Sequence, residues 1–202
     1  MISGLMSMNN LEKENLIIEI ERFLSEITII NDQLSVYLDI YACIEDPDCL
    51  LKLNQAPAFF TITILALRSN IIMGVARLFD ADPEAKTIKK LIARSKSNKK
   101  FFMHELKTGF IYEDDQEKCE VNIIKVDIDK MLNELDKELG CILASPSIES
   151  IKVSRDKIIA HNDKKYFLDK ESVPKIPVED IKRLTEFAEK ACNALLKHLN
   201  GE

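Results

Sequence analysis

Between residues 11 and 44, the apolar side chains Leu16, Ile20, Phe23, Ile27, Ile30, Leu34, Tyr37 and Tyr41 follow one another at alternating spacings of four and three. Glu, Lys, Asp and Gln fill the positions between them. That rhythm lays one apolar stripe along a helix about four heptads long. Ile17, Leu24 and Leu38 widen the stripe, so the helix is expected to pack against more than one neighbour. Pro47, within "EDPDC", ends it, because a proline cannot sit in a helix interior. A helix this long with so broad an apolar face points to a helical bundle.

The stretch "APAFFTITILALRSNIIMGVARLF" predicts a second long helix from about Pro57 to Phe79. It is apolar on nearly all sides, the pattern of a helix in the middle of a bundle. Arg68, Ser69 and Asn70 interrupt it, so it lacks the run of about 18 uncharged apolar residues expected of a membrane span. "DADP" stops it, and a shorter helix is expected over about Thr87 to Ser95. The region from Ser97 to Val121 is less regular, with a short helix and then an acidic surface loop, "YEDDQEK". Further on, Ile128, Met131, Leu132, Leu135 and Leu139 share one helical face. Ser145 or Ser147 then offers an N-cap for a helix from about residue 148.

"NDKKYFLDKESVPKIP" reads as a loop or a short hairpin, after which a final helix opens at Pro177 with Glu179 and Asp180 complementing its dipole. Glycines (five) and prolines (six) are too few for many short strands and turns. No repeat or linker divides the chain. The expectation is one all-α domain over residues 1–202, an antiparallel bundle of about five main helices with extra short ones.

Several function classes recede on the same evidence. "MISGLMSMNN" lacks the positive start and apolar core of a secretion signal, and the reading is a cytoplasmic protein without a membrane segment. The five cysteines (43, 49, 119, 141 and 192) are odd in number and form no CxxC, so they read as buried or idle thiols in a reducing compartment. His104 and His198 stand alone, with no HxxxH or ExxH pair, so neither a metal site nor a cofactor is expected. The net charge of −6 argues against a chain coated in nucleic acid. Yet residues 86–100 hold Lys86, Lys89, Lys90, Arg94, Lys96, Lys99 and Lys100 with no acid among them. They form either a solvated face or a local phosphate-binding surface, with Lys89, Lys90 and Arg94 as candidate RNA contacts.

"SRDKIIAHNDKKY", residues 154–166, departs from its surroundings by carrying one of six arginines and one of three histidines. Histidine exchanges protons near neutral pH, and arginine grips phosphate through a two-pronged fork. Together they suit cleavage of an RNA phosphodiester. A base takes the 2′-hydroxyl proton, a cation stabilises the phosphorane, and an acid protonates the leaving 5′-oxygen. The chemistry needs no metal. On a regular helix, however, Arg155 and His161 point about 120° apart. They converge only if the helix end is distorted or a second copy supplies half the site. The alternative is a histidine at the negative end of a helix and a solvated or paired arginine.

The wider stretch "RDKIIAHND" resembles the signature of the HEPN superfamily, an arginine followed by a polar residue and, four to six positions beyond the arginine, a histidine. Arg155, Asp156 and His161 fit in register. Ile158, Ile159, Ala160 and the "AH-x-D" ending at Asp163 look most like the AbiU-type abortive-infection branch, and "ARLFD" at 76–80 is similar to a segment of it. The resemblance implies an antiparallel bundle that forms a homodimer with two motifs facing one cleft. It also implies a metal-independent endoribonuclease, often the toxin of a toxin–antitoxin or phage-defence pair. In those roles Arg155 would bind the scissile phosphate, His161 would act as base or acid, and Asp156 would orient one of them. Asn162 and Asp163 would support the site or contact RNA.

In members silenced by nucleotide transfer, a tyrosine sits two residues after the histidine. Here that position is Asp163 and the nearest tyrosine is Tyr166, which puts such silencing in doubt. The competing expectations are a non-catalytic helical module that binds RNA or protein, and a purely structural bundle.

Asn70, Arg77 and Asp80 stand on an otherwise apolar segment, and polar groups there need partners or a cleft. Either Arg77 and Asp80 pair with each other or cap a neighbouring helix, or Arg77 lines the same cleft as Arg155.

Overall fold

The computed structural model describes residues 2–103, 105–108, 122–156 and 174–200. Within them lie seven α-helices: α1 (Ile2–Glu45), α2 (Pro47–Leu53), α3 (Pro57–Leu78), α4 (Ile88–Ser97), α5 (Ile128–Leu143), α6 (Pro146–Val153) and α7 (Val178–Asn200). The all-α expectation holds. A minor antiparallel ladder of β1 (Glu105–Thr108) and β2 (Asn122–Lys125) takes the place of the helix expected before the acidic loop. Each strand is only four residues long, too short to show a period of two against its surroundings. The "YEDDQEK" loop itself lies outside the described residues.

The α1 stripe does what its spacing demands. Leu16, Ile20, Phe23, Ile27, Ile30 and Leu34 are all buried, and α1 packs along both α3 and α7. The stripe leaves the core at its end, where Tyr37 is half-buried and Tyr41 exposed. Pro47 does end α1, and it also opens α2: Asp46 accepts hydrogen bonds from the backbone N–H groups of Asp48 (2.8 Å) and Cys49 (3.1 Å). Thr87 caps α4 and Asp127 caps α5 in the same way. Ser145 holds the N-cap position of α6, with Pro146 in its first turn. The α5 face buries Ile128, Leu132, Leu135, Leu139 and Ile142.

Two expectations need correction. The first is that α3 runs through the middle of the bundle. Only its C-terminal half does, burying Ile71, Ile72, Gly74, Val75, Ala76 and Leu78. In the N-terminal half Phe59, Ile62 and Leu65 are exposed. By length and composition α3 is apolar enough to cross a membrane, contrary to the expectation from its interrupting polar residues, and only 22% of its most apolar window is buried. The second is that all the thiols are idle. Cys43, near the end of α1, and Cys49, on α2, form a disulfide with their Cα atoms 5.1 Å apart. Cys141 is a free, exposed thiol; Cys192 is free and buried, with burial pushing its pKa up to about 12.

Candidate functional site

The buried half of α3 ends at Leu78, and the chain turns away through Phe79 into a short loop. Asp80 opens that loop. Its Oδ1 accepts hydrogen bonds from the backbone N–H groups of Ala81 (2.7 Å) and Asp82 (3.1 Å), an Asx-type turn that fixes the carboxylate. Asp82 repeats the device by accepting from the Glu84 N–H at 2.7 Å. Lys90, reaching back from α4, donates from Nζ to the carbonyls of Asp82 (3.0 Å), Pro83 and Ala85 (2.5 Å). A loop that would otherwise carry unpaired carbonyls is thereby stapled to the helix that follows it.

α6 approaches from the other side and packs on α3. Its last regular residue is Val153, and Ser154, Arg155 and Asp156 continue it as a π-type turn. Such widened turns occur mostly singly and often at functional sites. The 120° offset between Arg155 and His161 assumed a regular helix, and Arg155 does not sit in one.

Arg155 is held on two sides. Its Nε donates to Asp156 Oδ1 at 2.5 Å and its Nη2 to Asp156 Oδ2 at 3.2 Å, a bidentate pair between neighbours in sequence. Its Nη1 donates to Asp80 Oδ2 at 2.6 Å across 75 residues. Three of the five guanidinium N–H groups are thus engaged, and two have no acceptor among the described residues. The Asp156 hydrogen bond is the largest influence raising the guanidinium pKa; desolvation opposes it and the Asp80 charge adds to it. The Arg155 side chain is 20% exposed, so it is sheltered yet reachable.

The remaining candidates fall in different places. Arg77 and Asp80 do not pair with one another: Arg77 Nε donates to Glu26 Oε1 on α1 at 2.7 Å, while Asp80 is taken by Arg155. Arg77 and Asn70 line a groove of about 370 Å³ between α1 and α3, with Arg22, Glu26, Gln33 and Met73. Arg155 is not among the residues lining it. The basic segment 86–100 is largely neutralised. Arg94 pairs with Glu19, Lys86 also with Glu19 (3.5 Å), Lys96 with Asp136 (2.7 Å), Lys99 with Asp129 and Lys100 with Glu12 (3.9 Å). Lys90 serves the loop, and Lys89 alone of the seven has no ion pair or hydrogen-bonding partner among the described residues. His161, Asn162 and Asp163, with Tyr166, lie outside the described residues. Asp80 was not assigned to the site from sequence, although the "ARLFD" likeness ends on it.

The family model of the AbiU2 HEPN proteins (HEPN_AbiU2) matches residues 13–202 of the chain, from the first long helix through the arginine–histidine motif to the end. No curated protein and no solved structure matches it. A match over nearly the whole chain shows that this protein belongs to the AbiU2 family of HEPN proteins.

Proposed function

We propose that the protein is a metal-independent endoribonuclease of the HEPN type and the toxin of an abortive-infection or toxin–antitoxin pair. The observation that carries the reading is the state of Arg155. Asp156 and Asp80 hold its guanidinium on one edge and one nitrogen, leaving two N–H groups for a phosphate. In the proposed reaction those groups bind the scissile phosphate and stabilise the charge that grows on its oxygens. His161 takes the 2′-hydroxyl proton or returns one to the leaving 5′-oxygen, giving a 2′,3′-cyclic phosphate and a 5′-hydroxyl end. The protein acts in the cytoplasm as a homodimer, the two motif helices near the twofold axis, with an antitoxin as its further partner.

Neutralisation of the 86–100 segment favours a second reading, a non-catalytic module of the same fold that binds protein or RNA without cutting it. The test is RNA cleavage and growth arrest by the wild type beside His161→Ala and Arg155→Ala. The expected result is cleavage by the wild type and its loss in both variants. Equal behaviour of all three on RNA ends the ribonuclease reading. Binding without cleavage, lost in Arg155→Ala, establishes the second.

A further inference from the structure

The two oxygens of Asp80 do different jobs. Among the described residues, Oδ1 accepts from the loop's own backbone, at Ala81 and Asp82, and Oδ2 from Arg155 Nη1. The carboxylate's bearings are therefore set by the loop, and the loop is in turn fastened by the Asp82 turn and by the Lys90 ammonium on three carbonyls. Upstream, the loop grows directly from the buried end of α3, where Leu78 and Phe79 are in the core. Arg155's other acceptor, Asp156, is the adjacent residue in the same widened turn. A bond within one turn fixes the side chain relative to that turn, whereas the bond to Asp80 ties it directly to another element.

We infer that Asp80 is a positioning residue: through Oδ2 it sets the orientation of the Arg155 guanidinium, and with it the direction in which the two remaining N–H groups face a substrate phosphate. The inference rests on the ribonuclease reading for its substrate, but not for its geometry. It also gives Lys90 a role other than RNA contact, as the staple that keeps the Asp80 loop in place. A phosphate-stabilising donor loses its effect when it can swing, because the donors must already point where charge develops.

Asp80→Asn separates the two jobs. The amide keeps an oxygen for the Ala81 and Asp82 N–H groups and loses the charged acceptor for Arg155. With a short RNA as substrate, we expect kcat to fall about 10- to 100-fold, the loss typical when carboxylates orienting metal-bound histidines are removed. KM and the melting temperature should stay near the wild-type values, because both Asp80 oxygens are engaged within the protein and the loop remains capped. In an Arg155→Lys background, adding Asp80→Asn should change kcat by less than about twofold, since the group it orients is gone. Asp80→Glu should restore part of the rate. An unchanged or higher kcat in Asp80→Asn overturns the inference, as does an equal fall in the Arg155→Lys background.

A readout that needs no cleavage keeps the inference testable if the wild type proves inert and the ribonuclease reading fails. In the wild type, the Arg155 Nη1 hydrogens should give separate, slowly exchanging NMR signals at low temperature. These should merge in Asp80→Asn, and identical spectra sink the positioning role whatever the protein does to RNA.

Discussion

Phe59, Ile62 and Leu65, in the first half of α3, are 63%, 67% and 58% exposed, whereas Val75 and Leu78, in the second, are completely buried. Both halves are built from the same kind of apolar residue. What separates them is company. The second half lies against α1 so closely that a Cβ on Gly74 would stand 2.7 Å from Ile30 Cγ1. The first half projects beyond that contact, and its outward side chains have no described neighbour to cover them. The comparison shows that α3 is two structural elements in one helix, and that the buried one adjoins the candidate site. It leads without a break into Phe79 and Asp80, so the carboxylate that holds Arg155 is mounted on the buried end of the helix.

If that division is right, matched substitutions in the two halves must behave differently, most of all when a charge is introduced. Val75→Asp places a carboxylate in the core, at a cost of several kcal/mol against a total stability of about 5–15 kcal/mol. Circular dichroism should show an unfolded or molten chain. Ile62→Asp should leave the denaturation midpoint nearly where it was, and a collapse there would mean that the first half is not solvent-facing. Truncation is a gentler form of the same comparison. Leu78→Ala should lose about 2–5 kcal/mol in urea unfolding, whereas Leu65→Ala should stay within about 0.5 kcal/mol. Equal losses would erase the distinction between the halves. The smallest effect sharpens the boundary itself. Gly74→Val pushes methyl groups into Ile30 and should cost about 1–3 kcal/mol, and the double variant with Ile30→Ala should recover part of that. No recovery would mean that the close approach to Ile30 is not what requires a glycine there.

Much of this architecture was legible because it is periodic. The spacing from Leu16 to Leu34 gave α1 its buried face, Ile128 to Leu139 did the same for α5, and Pro47 marked the end of α1 and Pro57 the start of α3. What escaped is what depends on partners far away in sequence. The uneven burial of α3 is invisible to composition, since hydropathy records what a side chain is and not what stands beside it. The lysines and Arg94 of segment 86–100 looked free because their acids lie on α1 and α5, at Glu12, Glu19, Asp129 and Asp136. The Asp80–Arg155 contact spans 75 positions and left only the weaker "ARLFD" likeness as a trace. Within the site itself, Arg155 and Asp156 stood out because a single short motif carries them, whereas the loop that aims them has no motif of its own.

The widened turn over Ser154–Asp156 bears on which changes in chain length this region can absorb. A π-type turn is what remains when one residue too many is accommodated in a helix without breaking it. Removing Ser154 would let the end of α6 close to ordinary α-helical spacing, which by local criteria is an improvement. It would also bring Arg155 into the place Ser154 now holds, turned by about 100° around the helix axis and drawn back by about 1.5 Å. Arg155 would then face away from Asp80, with every side chain of the motif still present. Substitutions around the motif are thus a matter of degree, but its length is all or nothing: here the count of residues, as much as their identity, is part of the site.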